Sequence, residues 1–148
     1  MFHLNNYVMT NEIIEGLLLK IQSACPKDLE FSAKEIPLSG TRVLYLLIVK
    51  DDEKFEDIDE WAIHKVYHLF HTLWQIFKDE NASGKVRFLF YNQNDFVLYT
   101  PVNTSILNQF DGLVYRECYG HEYCTHLLGK TYDINNLIEY LVKQRKIF

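Results

Sequence analysis

The stretch "RVLYLLIVK", residues 42–50, forms the centre of the predicted fold. Every side chain from Val43 to Val49 is apolar, without the alternation that a strand shows when one of its faces meets water. We therefore expect a central β-strand that is covered on both faces. The run is much too short to span a bilayer as a helix, which needs about 20 residues.

Upstream of this strand, the sequence predicts a helix and a half-buried strand. In "NEIIEGLLLKIQSAC", residues 11–25, apolar residues recur at helical spacing, with Thr10 or Asn11 as the N-cap and Pro26 beyond the end. "LEFSAKEI", residues 29–36, alternates apolar and polar side chains, and "PLSGT" turns it back into the central strand.

Downstream of the central strand, the acidic stretch "DDEKFEDIDE", residues 51–60, leads into a long helix. Residues 58–77 show a period of about 3.6, and acids at the start of a helix favour its macrodipole. "VRFLFYN" and "DFVLYTP" then flank residues 92–95 as a β-hairpin.

The remaining segments complete one domain over residues 1–148. We expect a short helix at "SILNQF", residues 105–110, a strand at "LVYRECY", residues 113–119, and a last helix that Asp133 caps. The fold class is therefore α+β, with a mainly antiparallel five-stranded sheet and the order α-β-β-α-β-β-(short α)-β-α. This element order is similar to that of roadblock, longin and profilin-like domains.

The charge of the chain is concentrated in the acidic stretch. Residues 51–60 hold seven carboxylates against Lys54, whereas the whole chain carries a net charge of −5. The rest of the chain is therefore close to neutral. A local negative field attracts basic partners and repels nucleic-acid phosphates, so we expect a basic protein partner and no direct nucleic-acid binding.

Polar and apolar residues separate on the long helix. At about 100° per residue, one face is apolar, and His64, His68 and His71 gather on the opposite face with Trp61 at its edge. Exposed aromatic and histidine side chains next to acids are typical of protein interfaces. We predict that the partner-binding residues are Asp52, Glu53, Glu56, Asp57, Glu60, Trp61, His64 and His68.

These features favour a non-catalytic binding protein without a cofactor. The sequence has no P-loop, GxGxxG, HExxH, GxSxG or paired CxxC motif. A small acidic chain that is rich in tyrosine fits an immunity protein, which neutralises a basic bacterial toxin such as a nuclease. Three cysteines and a first segment without the features of a secretion signal predict a cytoplasmic protein with no membrane association.

Two alternatives stay open. "CYGHEYCTH", residues 118–126, supplies the thiol and imidazole ligands that zinc prefers, so a metal-binding regulator or enzyme would use Cys118, His121, Cys124 and His126. The residue types suit zinc, but four ligands in one short loop are closer together than in the usual paired sites. The other alternative is an adaptor that forms a homodimer, as roadblock-like proteins do.

Overall fold

A computed structural model of the chain provides the fold. The residues that it describes are 11–24, 28–37, 40, 43–79, 86–99, 111–117 and 125–143. Side chains are described within these ranges except at 11–14, 58, 111–117 and 125–128.

Helical segments and strands are interspersed along the chain. The helical elements are α1 Asn11–Ala24, α2 Ile58–Glu60, a π-helix Trp61–Val66, α3 Tyr67–Asp79 and α4 Ile134–Lys143. The strands are β1 Leu29–Pro37, β2 Val43–Asp51, β3 Val86–Asn92, β4 Asp95–Tyr99, β5 Asp111–Glu117 and β6 Thr125–Lys130. Because α2, the π-helix and α3 join end to end without a break, we call them together the central helix.

The six strands of the described residues form one sheet in the order β1-β2-β3-β4-β6-β5. The prediction of an α+β fold is confirmed, and the five predicted strands lie in this sheet beside a sixth, β6. The sheet is mixed, because β2 and β3 pair parallel while the other neighbours pair antiparallel. The long central helix connects β2 to β3, and a crossover of this kind returns the chain to the same end of the sheet. The roadblock-like topology stays a prediction, and the predicted short helix at 105–110 lies outside the described residues.

The larger core lies between one face of the sheet and the two helices α1 and the central helix. Phe70 of α3 stacks on Tyr99 of β4 with ring centroids 3.9 Å apart, and it meets Phe88 of β3 edge-on at 5.3 Å. From α1, Leu17 and Ile21 are buried in the same cluster. These contacts hold the central helix in one position on the sheet.

A second core lies on the opposite face of the sheet. Leu137 and Leu141 of α4 are fully buried there against residues of β2 and β4, among them Leu46 and Leu98. Strand β2 therefore has apolar cover on both faces, as its continuous apolar run predicts. Among the described residues, no helix combines the length and the apolarity that crossing a membrane requires.

The π-helix changes which residues of the central helix face the core. The amide of Tyr67 donates to the carbonyl of Ala62, five residues earlier, and this closure brings residues five apart onto about the same side. In a regular α-helix, the side chains of two residues five positions apart point in directions that differ by about 140°. Trp61 therefore lies on the core side with Val66, and it is 1% exposed. The prediction that Trp61 lies at the edge of the outward face is wrong for this reason.

Candidate functional site

The acidic stretch begins inside the protein. Asp51 is the last residue of β2 and is 2% exposed. Its carboxylate accepts hydrogen bonds from the indole nitrogen of Trp61 at 2.9 Å, from Nζ of Lys65 at 3.1 Å and from the backbone amide of Glu53 at 3.0 Å. A buried carboxylate with three donors is satisfied, so it joins the end of the sheet to the start of the central helix.

Lys65 lies among three carboxylates. Its ammonium contacts Glu53, lies 3.0 Å from Asp51 and is 3.8 Å from Asp28 of the segment before β1. Burial by itself lowers the pKa of Lys65, but hydrogen bonds to Glu53 and Asp51 and the nearby negative charges outweigh it and raise the pKa above its usual 10.5. The ammonium therefore stays charged and ties three segments together.

The same three carboxylates are a candidate cation site in the described part of the chain. Asp28, Asp51 and Glu53 offer oxygen atoms within 4.8 Å of one another, and carboxylate oxygens are ligands for hard divalent cations. The ammonium of Lys65 already lies among these oxygens. The arrangement is therefore an internal ion-pair network, in which the lysine supplies the positive charge.

Two further contacts hold the loop between β2 and the central helix. The side-chain amide of Asn92, at the end of β3, donates to the carbonyl of Glu53 at 2.6 Å. The carboxylate of Asp57 accepts from the backbone amide of Asp59 at 3.0 Å, as an N-cap residue does. The loop is therefore attached at both ends and in the middle.

The structure divides the predicted partner-binding residues into two groups. Trp61 is buried and Glu53, although 49% exposed at its side chain, is engaged by Lys65. Asp57 is exposed and caps the helix. The residues that are exposed and have no ion pair closer than 4.0 Å within the described ranges are Asp52, Glu56, Glu60, His64 and His68.

His71, the third histidine of the predicted row, is less exposed than His64 and His68. Its ring meets the ring of Tyr67 edge-on, with centroids 4.4 Å apart. Partial burial, and secondarily the neighbouring His68, lower the pKa of His71 below its usual 6.5. The outward face of the central helix is therefore continuous at His64 and His68 and becomes partly covered at His71.

A cleft of about 470 Å³ opens beside the loop. The loop and the start of the central helix contribute Lys54, Phe55, Glu56, Asp57 and Trp61. The described residues of the opposite wall are Asn92, Gln93 and Asp95 of the β3–β4 hairpin and Lys130 at the end of β6. The cleft is thus bordered by part of the acidic stretch on one side and by the β3–β4 hairpin on the other.

The hairpin wall has an unusual backbone and an unusual carboxylate. Gln93 has a φ of 53°, a left-handed conformation that costs energy for a residue other than glycine. Asp95 pairs across the sheet with Lys130. Partial burial raises the pKa of Asp95 above its usual 3.8, although the positive charge of Lys130 acts in the opposite direction.

The predicted zinc ligands cannot be placed in this site. Cys118, His121 and Cys124 lie outside the described residues. The backbone of His126 belongs to β6, where it is in register with Tyr99 and Arg116, and its side chain is not described. The metal-binding alternative stays a prediction.

Among the residues of this site that sequence reasoning missed are Asp51, Lys65, Asn92 and Asp95. For Asp51 there was a signal, since it directly continues the buried strand, and a carboxylate in that place needs a cationic or donor partner. For Lys65 the signal was absent, because helical spacing alone does not show which lysine reaches across to a loop. Asn92 and Asp95 looked like ordinary turn residues.

Comparisons with known proteins give no relative from which a role could be transferred. No protein-family model matches the chain, and neither a curated protein nor a solved structure matches it. A function for this chain therefore has to be inferred from the geometry and charge of the site itself.

Proposed function

We propose that this chain is a protein-binding module that recognises a basic partner through the outer part of its acidic stretch and the exposed side of the central helix. The specific role that we favour is that of an inhibitor of a basic protein, such as a nuclease toxin. The observation that carries the proposal is that Asp52, Glu56 and Glu60 remain exposed on a segment whose backbone is held from within.

The exposed carboxylates are available to a partner. Asp52 is 64% exposed at its side chain, and its nearest lysine, Lys50, is 4.0 Å away. Within the described ranges, Glu56 and Glu60 are exposed and make no hydrogen bond or ion pair through their side chains. Clustered charges of one sign that are not neutralised internally speed encounter with a partner of opposite charge.

The loop that carries these carboxylates is already ordered, and this order favours binding of a partner. The carboxylate of Asp51, the ammonium of Lys65 and the amide of Asn92 hold the loop against the sheet. A surface that is already ordered loses less conformational entropy when a partner binds. The binding surface is therefore preorganised at its base, while its charged side chains remain free to adapt.

The test is affinity capture from the source cells with the full chain as bait. The double variant Asp52→Lys plus Glu60→Lys reverses two exposed charges outside the cleft. Glu139→Lys is the control and reverses one exposed charge on α4. We expect a basic protein to be captured by the wild type and by the control, to be lost with the double variant, and to bind more weakly as salt rises.

An unchanged result would contradict the proposal. If the double variant captures the same proteins with the same affinity and salt response as the wild type, the acidic surface is not the recognition site. Each variant should be shown to be folded by its thermal unfolding curve before it is compared.

A further inference from the structure

The carboxylate of Asp95 is unusual among the charged groups of the cleft. It is partly buried, and within the described residues no side chain or backbone group donates a hydrogen bond to it. Lys130 faces it across the strand pair, but the two make no ion pair within 4.0 Å. A carboxylate that has lost part of its hydration without gaining a hydrogen-bond donor is stabilised by a ligand that supplies donors.

The charge of the cleft suits a ligand with one positive charge. Among the described residues, its walls hold three carboxylates, from Glu56, Asp57 and Asp95, and two ammonium groups, from Lys54 and Lys130. Both lysines are exposed, so their charged ends can remain in water while their stems line the wall. One net negative charge is left, which a single cation neutralises.

The aromatic wall of the cleft also favours a cation. The ring of Phe55 is partly buried, and Nζ of Lys65 lies 5.8 Å from its centroid. Phe55 also lines the cleft, and a cation that lies against an aromatic face is attracted to it. A flat cation gains more here than a compact one, because it can lie along the ring.

We propose that the cleft binds the guanidinium group of an arginine side chain, with Asp95 as the carboxylate that receives it and Phe55 as the wall beside it. The proposal rests on the proposed function, because the arginine is an anchor residue of the basic protein partner. A guanidinium carries five donors in a planar fork that matches a carboxylate, and it is more weakly hydrated than an ammonium. A lysine would supply the charge without the fork and the flat face.

The probe for this site is capped arginine, which is N-acetyl-arginine-N-methylamide, titrated into the full chain and followed by two-dimensional NMR. We expect saturable shifts of the signals of Asn92, Gln93 and the indole N–H of Trp61. Capped citrulline has nearly the same shape without the charge, and it should give no shift at equal concentration. Capped lysine should bind at least about fivefold more weakly than capped arginine.

Variants then assign the binding to Asp95. Asp95→Asn should weaken the binding of capped arginine at least about fivefold, while Glu139→Gln, an exposed carboxylate on α4, should leave it unchanged. If the spectrum shows that Asp95→Asn does not fold, Glu56→Gln in the opposite wall tests the cleft instead, and it should weaken the binding of capped arginine because it removes another carboxylate from the lining. Equal shifts with citrulline, shifts outside the cleft, or unchanged binding to Asp95→Asn would each overturn the proposal.

The two proposals fail in different ways. A captured partner that is lost with Asp52→Lys plus Glu60→Lys but binds Asp95→Asn as tightly as wild type would overturn the arginine cleft and leave the proposed function standing. The opposite result would count against the proposed function. In that case capped arginine binds saturably in the cleft, but the partner binds the double variant as tightly as it binds the wild type.

Discussion

Two groups of carboxylates in one acidic segment have opposite environments in this protein. Asp51 and Glu53, at the start of residues 51–60, are tied to Lys65, and Asp51 is almost completely buried. Glu56 and Glu60, at the end of the same segment, are exposed and unpaired within the described ranges. The difference shows that a run of like charges in a sequence is not one feature, because each carboxylate has its own environment after folding.

The two groups should respond very differently to loss of charge. The inner carboxylates bind groups that would otherwise be buried without partners, so their removal costs stability. The outer carboxylates contribute little to stability and act on what approaches from outside. Single substitutions test this division, and the most destabilising of them removes the buried carboxylate.

Replacement of Asp51 by alanine should destabilise the protein by about 3–5 kcal/mol, because it leaves the indole N–H of Trp61 and the ammonium of Lys65 without their buried acceptor. The matched control is Asp52→Ala, one residue further on, where the exposed side chain should change the free energy of unfolding by about 0.5 kcal/mol or less. Denaturant unfolding measures both. Equal effects at the two positions would show that the inner and outer carboxylates do not differ.

Replacement of Trp61 by phenylalanine should cost about 1–3 kcal/mol, since it keeps most of the ring but removes the donor to Asp51. A double-mutant cycle with Asp51→Asn separates the hydrogen bond from the change in packing. We expect the two substitutions to be less than additive. Strict additivity would mean that Trp61 is held by the core alone and not by the carboxylate.

Replacement of His71, on the central helix, should have a smaller effect on the free energy of unfolding, and this effect should depend on pH. Its pKa is lowered in the folded state, so the unfolded chain binds the proton more tightly and stability falls as the pH drops below about 6.5. His71→Gln removes this titration, and its free energy of unfolding should fall less between pH 7 and pH 5 than that of the wild type. An identical slope in both proteins would contradict the prediction.

Asp95→Asn should give the smallest effect, and it should be stabilising. Because the pKa of Asp95 is raised, its ionised form disfavours the folded state at neutral pH, and this cost disappears as the pH falls below the unfolded value of 3.8. Because the side chain is only partly buried and solvent screens its charge, we expect a gain of about 0.5 kcal/mol or less at pH 7 that vanishes at low pH. Glu139→Gln is the control. A loss of stability on Asp95→Asn would mean that the carboxylate has a structural partner.

Much of the fold could be predicted from local pattern. The apolar run Val43–Val49 is covered on both faces, as expected, and the strand at 29–36 shows the expected alternation between Leu29, buried, and Glu30, exposed. The hairpin at residues 92–95 also lies where turn chemistry placed it. These features depend on neighbours in sequence, so they are visible in it.

The site was harder to predict, because its key contacts join residues that are far apart or depend on an irregular helix. The π-helix at Trp61–Val66 has no signature in the hydrophobic period, and it moves Trp61 from the outward side to the core. The cleft needs the β3–β4 hairpin and the end of β6 beside the loop, a proximity that the order of elements does not specify.

The amino-acid order was sufficient to establish an α+β chain with a doubly buried strand, a long amphipathic helix and a concentration of negative charge between them. Which of those charges became internal depended on the tertiary structure alone. The physical reason is that the energy of a carboxylate depends on the donors and cations around it. For Asp51 these are the indole of Trp61 and the ammonium of Lys65, which come from the central helix, 10 and 14 residues further along the chain. Position in the chain can show where the charges are, but folding decides which of them a partner can reach.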